Sequence, residues 1–384
     1  LSVGAGVIGA QSFGRKSGDD LQRTVHTAVA VSFLGGALLM AVGYIGAPYF
    51  LEWMNTPQDI MIASLSYIRI YFFSLISIVT YNMGSGILRA VGDSKSPLIY
   101  QIVGGLANVV LDALFLVVLG YGVDGAAWAT LFSQTIAAGC VLIHLSRASG
   151  AYHLSWAKIR IDKGVLYRIL YVGIPVGLQS MVITLSNVFV QYFINGFGVD
   201  AIAAFASYFK VELVIYLPIV AFGQAITTFA AQNMGAGKIK RIREGTRVCL
   251  MMGLTLTVVS SAAMLIFGRQ AFWVFIKDYS VIACGMRIIQ TSFPFYFLYV
   301  VQEVLGDSIR GAGKSTPPMI IVLLNICVLR TILLFIIVPF YHDVRGVAMT
   351  YPITWATTTA CMAVYYLKGK WYEKTHESGI QVVP

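Results

Sequence analysis

Residues 97–120 read PLIYQIVGGLANVVLDALFLVVLG, a run long and apolar enough to span a membrane that nevertheless carries Asn108 and Asp112. A carboxylate at bilayer depth costs roughly 2.5–3.5 kcal/mol on insertion scales, so its presence calls for an offsetting role. The spacing of four places the Asn amide and the Asp carboxyl on one helical face, one turn apart, where they can share a proton or coordinate a cation. A polar pair can also simply glue two helices together. For an intramembrane carboxylate the functional reading comes first.

Working outward, the chain has 58% hydrophobic and only 11% charged residues, with 37 glycines in 384 residues. That composition excludes an ordinary soluble domain and predicts an all-α polytopic membrane protein. Ten complete spans follow from the apolar runs, at about 25–50, 60–88, 97–120, 123–146, 165–195, 201–232, 246–268, 280–309, 317–340 and 345–368. Residues 1–12 read as the end of a further helix. The runs are continuous rather than alternating, which argues against transmembrane strands.

The net charge of +10 is explained by loop asymmetry. Twenty of the 27 Lys and Arg residues fall in every second loop: around Arg15, Lys16 and Arg23, Arg89 and Lys95, Arg147 to Arg168, Lys238 to Arg247, Arg310 and Lys314, and Lys368 to Lys374. The intervening loops near Asn55, Asp124, Asp200, Asp278 and Asp343 hold only Arg269, Lys277 and Arg345. The basic loops, and with them the C-terminus, are therefore expected on the cytoplasmic side of the cell membrane, and a nucleic-acid partner is not expected. Five scattered cysteines give neither a disulfide framework nor a metal-ligand spacing. GAGKST at 311–316 lacks the Gly that a phosphate loop needs where Ser308 stands, and the histidines at 26, 144, 153, 342 and 376 form no catalytic set. An enzyme is not expected.

The chain also matches itself at a constant offset of 221 residues, without gaps. Ala10 and Gln11 meet Ala231 and Gln232, Arg89 meets Arg310, Gly92 meets Gly313, Pro97 meets Pro318, and Val123 and Gly125 meet Val344 and Gly346. Matched loops lie on the same side, so the two copies are parallel six-helix repeats with a substrate cavity expected between them. By the same offset, about 60 residues of the first copy, one helix and most of a second, fall before Leu1. The expected organisation is an N-terminal lobe over 1–146, a cytoplasmic linker over 147–164, a C-terminal lobe over 165–368 and a cytoplasmic tail over 369–384. Asp112 aligns with Leu333 and Asn108 with Leu329, so any ion coupling is expected in the first copy alone.

The paired turns ILRAVGDSKSP (87–97) and SIRGAGKSTPP (308–318), with the segments GAQSFG (9–14) and AAQNMGAGK (230–238), resemble the multidrug and toxic compound extrusion (MATE) family in its bacterial branch. The resemblance implies a twelve-helix architecture with the first copy truncated here. It also implies export of small organic, often cationic, compounds by antiport with H⁺ or Na⁺, through alternating access of two lobes. In that family the N-terminal lobe couples transport through an acid on the first helix and Asn and Asp on the fifth, helped by polar groups on the fourth and sixth. Asn108 and Asp112 match the fifth-helix pair, Thr130 the sixth-helix hydroxyl and Asn82 a fourth-helix group; Na⁺ would sit at Asp112, Asn108 and Thr130. The position of the first-helix acid falls before residue 1. No cofactor beyond the coupling ion is implied, and the expected partners are small substrates and the lipid bilayer, with the protein a monomer.

The second copy has its own intramembrane ionisable groups. Lys210, Glu212 and Glu303 are candidate cavity residues, Asp307 reads as a structural partner of Arg310, and Arg330 calls for an acidic partner that the sequence does not name. Gln179, Asn187 and Gln191 read as helix glue, and the aromatics Phe293, Phe295, Tyr296 and Tyr299 as packing. A lipid-linked oligosaccharide flippase of related architecture is the alternative reading; it would be expected to show a strongly basic cavity. A non-transporting membrane protein is a further alternative, against which the two-lobe repeat argues.

Overall fold

The computed structural model describes residues 1–341 and 343–372. His342 and the part of the expected tail beyond Tyr372, with Lys374 and His376, lie outside the described residues. Among those described, the chain is helical and carries no strand: α1 (Ser2–Gly14), α2 (Gly18–Trp53), α3 (Gln58–Ala90), α4 (Lys95–Asp112) running into a π-helical turn (Ala113–Val118), α5 (Gly122–Arg147), α6 (Lys163–Asn195), α7 (Val199–Gly235) and α8 (Ile239–Phe275). Then come α9 (Tyr279–Ser292), a 3₁₀ turn (Phe293–Phe295), α10 (Tyr296–Gly311), α11 (Thr316–Val322), a π-helical segment (Leu323–Leu329), α12 (Arg330–Tyr341) and α13 (Val344–Lys368).

The repeat is visible in the backbone. Shifted by 221 residues, α1 falls on the last turns of α7, α2 on α8, α3 on α9 and α10, α4 on α11 and α12, and α5 on α13, with boundaries agreeing to within about two residues. The turns repeat as well. Gly92 and Gly313 have φ of 95° and 92°, and Lys16 and Gly237 have 58° and 71°. Left-handed backbone is costly for a residue with a Cβ, so its recurrence at matched positions reflects one turn geometry used twice.

Carboxylates start several of the helices. Asp93 accepts the amides of Lys95 and Ser96 at 3.1 and 3.0 Å, Asp162 those of Gly164 and Val165, Asp278 that of Ser280 and Asp343 that of Arg345. The Ser280 hydroxyl and amide N–H together hold the Asp278 carboxyl below the usual carboxylate range.

Among the described residues, nine helices are long and apolar enough to cross a membrane. The tenth expected span forms α13, which has the length but is more polar than the other nine. Its Thr350, Thr354 and Thr358 are fully buried, and their hydroxyls donate to carbonyls of their own helix at 2.6–3.0 Å. Polar groups satisfied this way are tolerated at membrane depth.

The described chain divides into two compact units, residues 1–173 and residues from 174 on. In the first, α3 packs along α2 and α5, and α4 along α5. The segment after α5 is irregular apart from a 3₁₀ turn at Trp156–Lys158 and is tied to α2: Ser155 N–H donates to His26 Nε2 at 3.1 Å and Asp162 N–H to Thr27 Oγ1 at 3.1 Å. In the second, α7 packs along α8 and α10, and α10 along α13, around a core that includes Phe205, Tyr208, Phe293, Tyr296 and Trp355.

One close crossing occurs in each unit with the glycine exchanged between helices. A Cβ on Gly9 of α1 would lie 3.3 Å from the Ala90 Cβ of α3; at the matched crossing a Cβ on Gly311 of α10 would lie 2.7 Å from the Ala230 Cβ of α7 and overlap the Thr227 carbonyl oxygen. The second crossing is the tighter one. Gly311→Ala is therefore expected to lower stability by about 1–3 kcal/mol, as overpacking does, and Gly9→Ala by less; equal unfolding temperatures for the two variants in one detergent, or the reverse order, would count against the tighter crossing.

Candidate functional site

Asn108 and Asp112 lie one turn apart on α4, both half-buried. Asp112 is the last α-helical residue before the π-helical turn Ala113–Val118, where the backbone bonds lengthen to Leu119 N–H with Leu114 O at 2.9 Å. Such turns break the regular ladder and recur at functional sites. Neither side chain makes a hydrogen bond or ion pair among the described residues. A carboxylate and an amide oxygen left free on adjacent turns are a donor set that a proton or a hard monovalent cation can take.

Thr130 is half-buried on α5, the helix packed along α4, and its hydroxyl donates to Ala126 O at 3.0 Å. That leaves the oxygen lone pairs free. Asn82, on α3, is exposed, and its amide donates to Ile78 O of its own helix at 2.8 Å. No hydrogen bond joins any two of these four residues.

The second unit holds a denser polar cluster. Glu212 of α7 accepts the hydroxyls of Tyr296, in a very short contact, and of Tyr208 at 3.3 Å; Tyr208 is in turn 3.1 Å from the Ser292 hydroxyl. The Tyr296 ring meets Trp355 edge-on at 4.7 Å. Farther along α10, Glu303 lies one helical turn from Tyr299, and Asp307 pairs with Arg310, as the spacing predicts. Arg310 Nη2 also donates to Gln179 Oε1 at 2.9 Å, so Gln179 does join helices. Gly223 on α7 has no side chain where the Asp307 carboxylate sits.

Lys210 departs from this cluster. It is exposed, two residues before Glu212, and its ammonium lies 5.6 Å from the Phe275 ring with no carboxylate in ion-pair range among the described residues. Arg330 corrects an expectation, because no acid pairs with it directly among the described residues. Its guanidinium stacks 4.6 Å over the Tyr351 ring and donates to Thr354 Oγ1 at 3.3 Å, while Glu212 acts on it from farther away. A fully buried guanidinium accepts an aromatic face in place of a carboxylate because the ring costs nothing to desolvate.

Tyr208, Ser292, Tyr351, Thr354 and Trp355 were not legible as site residues. For part of the set a signal exists: Ser292, Tyr296, Tyr299, Glu303, Asp307 and Arg310 recur every three or four positions, the stripe of one helical face. The Phe293–Phe295 turn interrupts the helix within that stripe, which obscures it in a reading by runs.

The MatE family model matches residues 1–114 and 175–336. The chain is similar to the probable multidrug resistance protein YoeA of Bacillus subtilis, at 27% identity over 376 residues, covering 95% of this chain and 81% of that one. It is also 25% identical over 385 residues to the FAD transporter of Shewanella oneidensis, covering 96% and 82%. Among solved structures it superposes on an outward-facing multidrug resistance MATE family transporter with a TM-score of 0.89 at 20% identity, covering 96% of this chain and 82% of that one. Two matched stretches that together take in most of the chain, on a polytopic helical scaffold built from one repeated unit, establish that the chain belongs to the MatE family of membrane transporters.

Proposed function

We propose that this chain exports small organic compounds from the cell by antiport with H⁺ or Na⁺, its two halves giving access alternately to either side of the cell membrane. The observation that carries the reading is Asp112: a half-buried carboxylate within a span, one turn from Asn108, with no partner among the described residues. Relatives named as multidrug resistance proteins support the substrate class.

In this reading Asp112 alternates between protonated and ionised forms, or between free and Na⁺-bound forms with Asn108 and Thr130 supplying oxygens, as its surroundings change. The ion and the substrate favour different arrangements of the protein, and transport follows from that difference in affinity. No other cofactor takes part, and one chain suffices. Asn82 would assist the coupling set as a fourth-helix polar group, and Glu212, Lys210 and Glu303 are the candidate residues of the substrate cavity. The oligosaccharide-flippase reading gains nothing from Lys210, whose charge lies over an aromatic ring away from the acidic residues. The second unit's cluster is built mainly of acids and phenols, with Arg330 against an aromatic ring and Arg310 against Asp307.

The test is transport by the purified protein in liposomes under an imposed pH or Na⁺ gradient, read with a fluorescent organic cation. Substrate movement that follows one gradient and stops when it is collapsed is the expected result; movement indifferent to both would end the antiport reading.

A further inference from the structure

At the end of α4 and α5 where the basic loops gather, a groove of about 400 Å³ is lined by Tyr100, Cys140, Ile143, His144, Arg147 and Ala148. We propose that this groove binds an anionic glycerophospholipid, its phosphate against Arg147 and an acyl chain along α5. Ile136, Cys140, Ile143 and Arg147 follow one another at spacings of four, three and four, so they form a single stripe on α5. Ile136 is 41% and Ile143 54% exposed. The stripe thus offers an apolar track about 15 Å long, at 1.5 Å per residue, ending in a cation at the membrane boundary. Trp156, exposed and donating to Ser146 Oγ at 3.0 Å, stands beside that end as interfacial aromatics do.

The charges in the groove favour an anion. His144 Nδ1 lies 2.8 Å from the Tyr100 hydroxyl and its Nε2 lies 3.8 Å from Asp93. Asp93, beside His144, is already committed to the amides that start α4 and to this imidazole. Partial burial would raise its carboxyl, but the Ser96 hydroxyl and N–H, His144 and the Lys95 N–H outweigh burial and hold it below the usual range. Arg147 makes no hydrogen bond or ion pair among the described residues, so it is the charge left for a ligand. The matched positions in the second copy carry Lys314, Ile321 and Tyr365 in place of Asp93, Tyr100 and His144, whereas Lys368 matches Arg147, so the cation recurs in the repeat and its polar surroundings do not.

Native mass spectrometry of the purified full chain, titrated with phosphatidylglycerol or phosphatidylcholine, tests the assignment. Phosphatidylglycerol is expected to bind in preference. Arg147→Gln should weaken it about fivefold, the effect of one basic residue at an anionic surface, about 1 kcal/mol, while Arg147→Lys retains most of the binding. Lys158→Gln, which removes the same charge from an exposed site on the same end, should leave binding unchanged and so control for net charge. Equal loss in Arg147→Gln and Lys158→Gln, no loss in either, equal binding of both lipids, or displacement of the lipid by excess inorganic phosphate would each overturn the proposal, the last by identifying a free-anion site. Arg147 is exposed and makes no bond among the described residues, so its variants are expected to fold; circular dichroism of each preparation checks this.

Discussion

Replacing Asp112 by asparagine is expected to abolish gradient-driven transport, bringing substrate movement in liposomes down to that of protein-free vesicles. The substitution keeps the shape of the side chain and removes only its capacity to ionise. Asp112 makes no hydrogen bond or ion pair among the described residues, so no such contact is lost with the charge. Indeed, an intramembrane carboxylate costs roughly 2.5–3.5 kcal/mol on insertion scales, so Asp112→Asn should unfold no earlier than the parent in a thermal melt. A variant at least as stable and unable to transport separates an ion-handling residue from a structural one. Asn108→Leu and Thr130→Ala should reduce transport less, because each removes one neutral ligand and leaves the carboxylate. Unchanged pH- or Na⁺-driven efflux by Asp112→Asn would remove the coupling assignment, whatever the fate of the other residues.

The largest loss of stability is expected at the opposite kind of site, where the charge is fully used. Arg310 and Asp307 are both buried, pair within one turn of α10, and are joined by Gln179 from α6. Removing either partner strands the other charge in a site with little water, which typically costs 3–5 kcal/mol. Arg310→Met and Asp307→Leu are each expected to lower the unfolding temperature sharply. The double variant should recover much of the loss, because a buried ion pair exchanged for apolar residues of similar volume is often close to neutral. A double variant as unstable as the sum of the singles would mean that the pair carries no specific coupling. Arg89, the matched residue of the first copy, is only partly buried and has Gly86 at the place of Asp307, so Arg89→Met should cost less.

Much of this protein was legible as a string of letters. Hydrophobic runs gave the helices because a chain crossing hydrocarbon has to satisfy every backbone group within its own segment, and only a helix does this locally. The offset of 221 residues gave the repeat because the same turn needs the same residues: Gly92 and Gly313 recur in sequence and again as matched left-handed backbone. Asp112 stood out because a charge in an apolar run is conspicuous in one dimension.

What the letters could not supply were contacts between helices distant in sequence. Glu212 reads as a lone acid until α7 and α10 pack and bring the Tyr296 hydroxyl onto it, 84 positions away. Arg330 reads as needing a carboxylate until the packing of α12 on α13 presents the face of Tyr351. Spacing along a helix states which residues share a face, and so it predicted Asp307 with Arg310, three apart. Which face meets which neighbour depends on how bulky and small residues interlock across a crossing, as Gly9 with Ala90 and Ala230 with Gly311 show, and that was settled only by the folded chain.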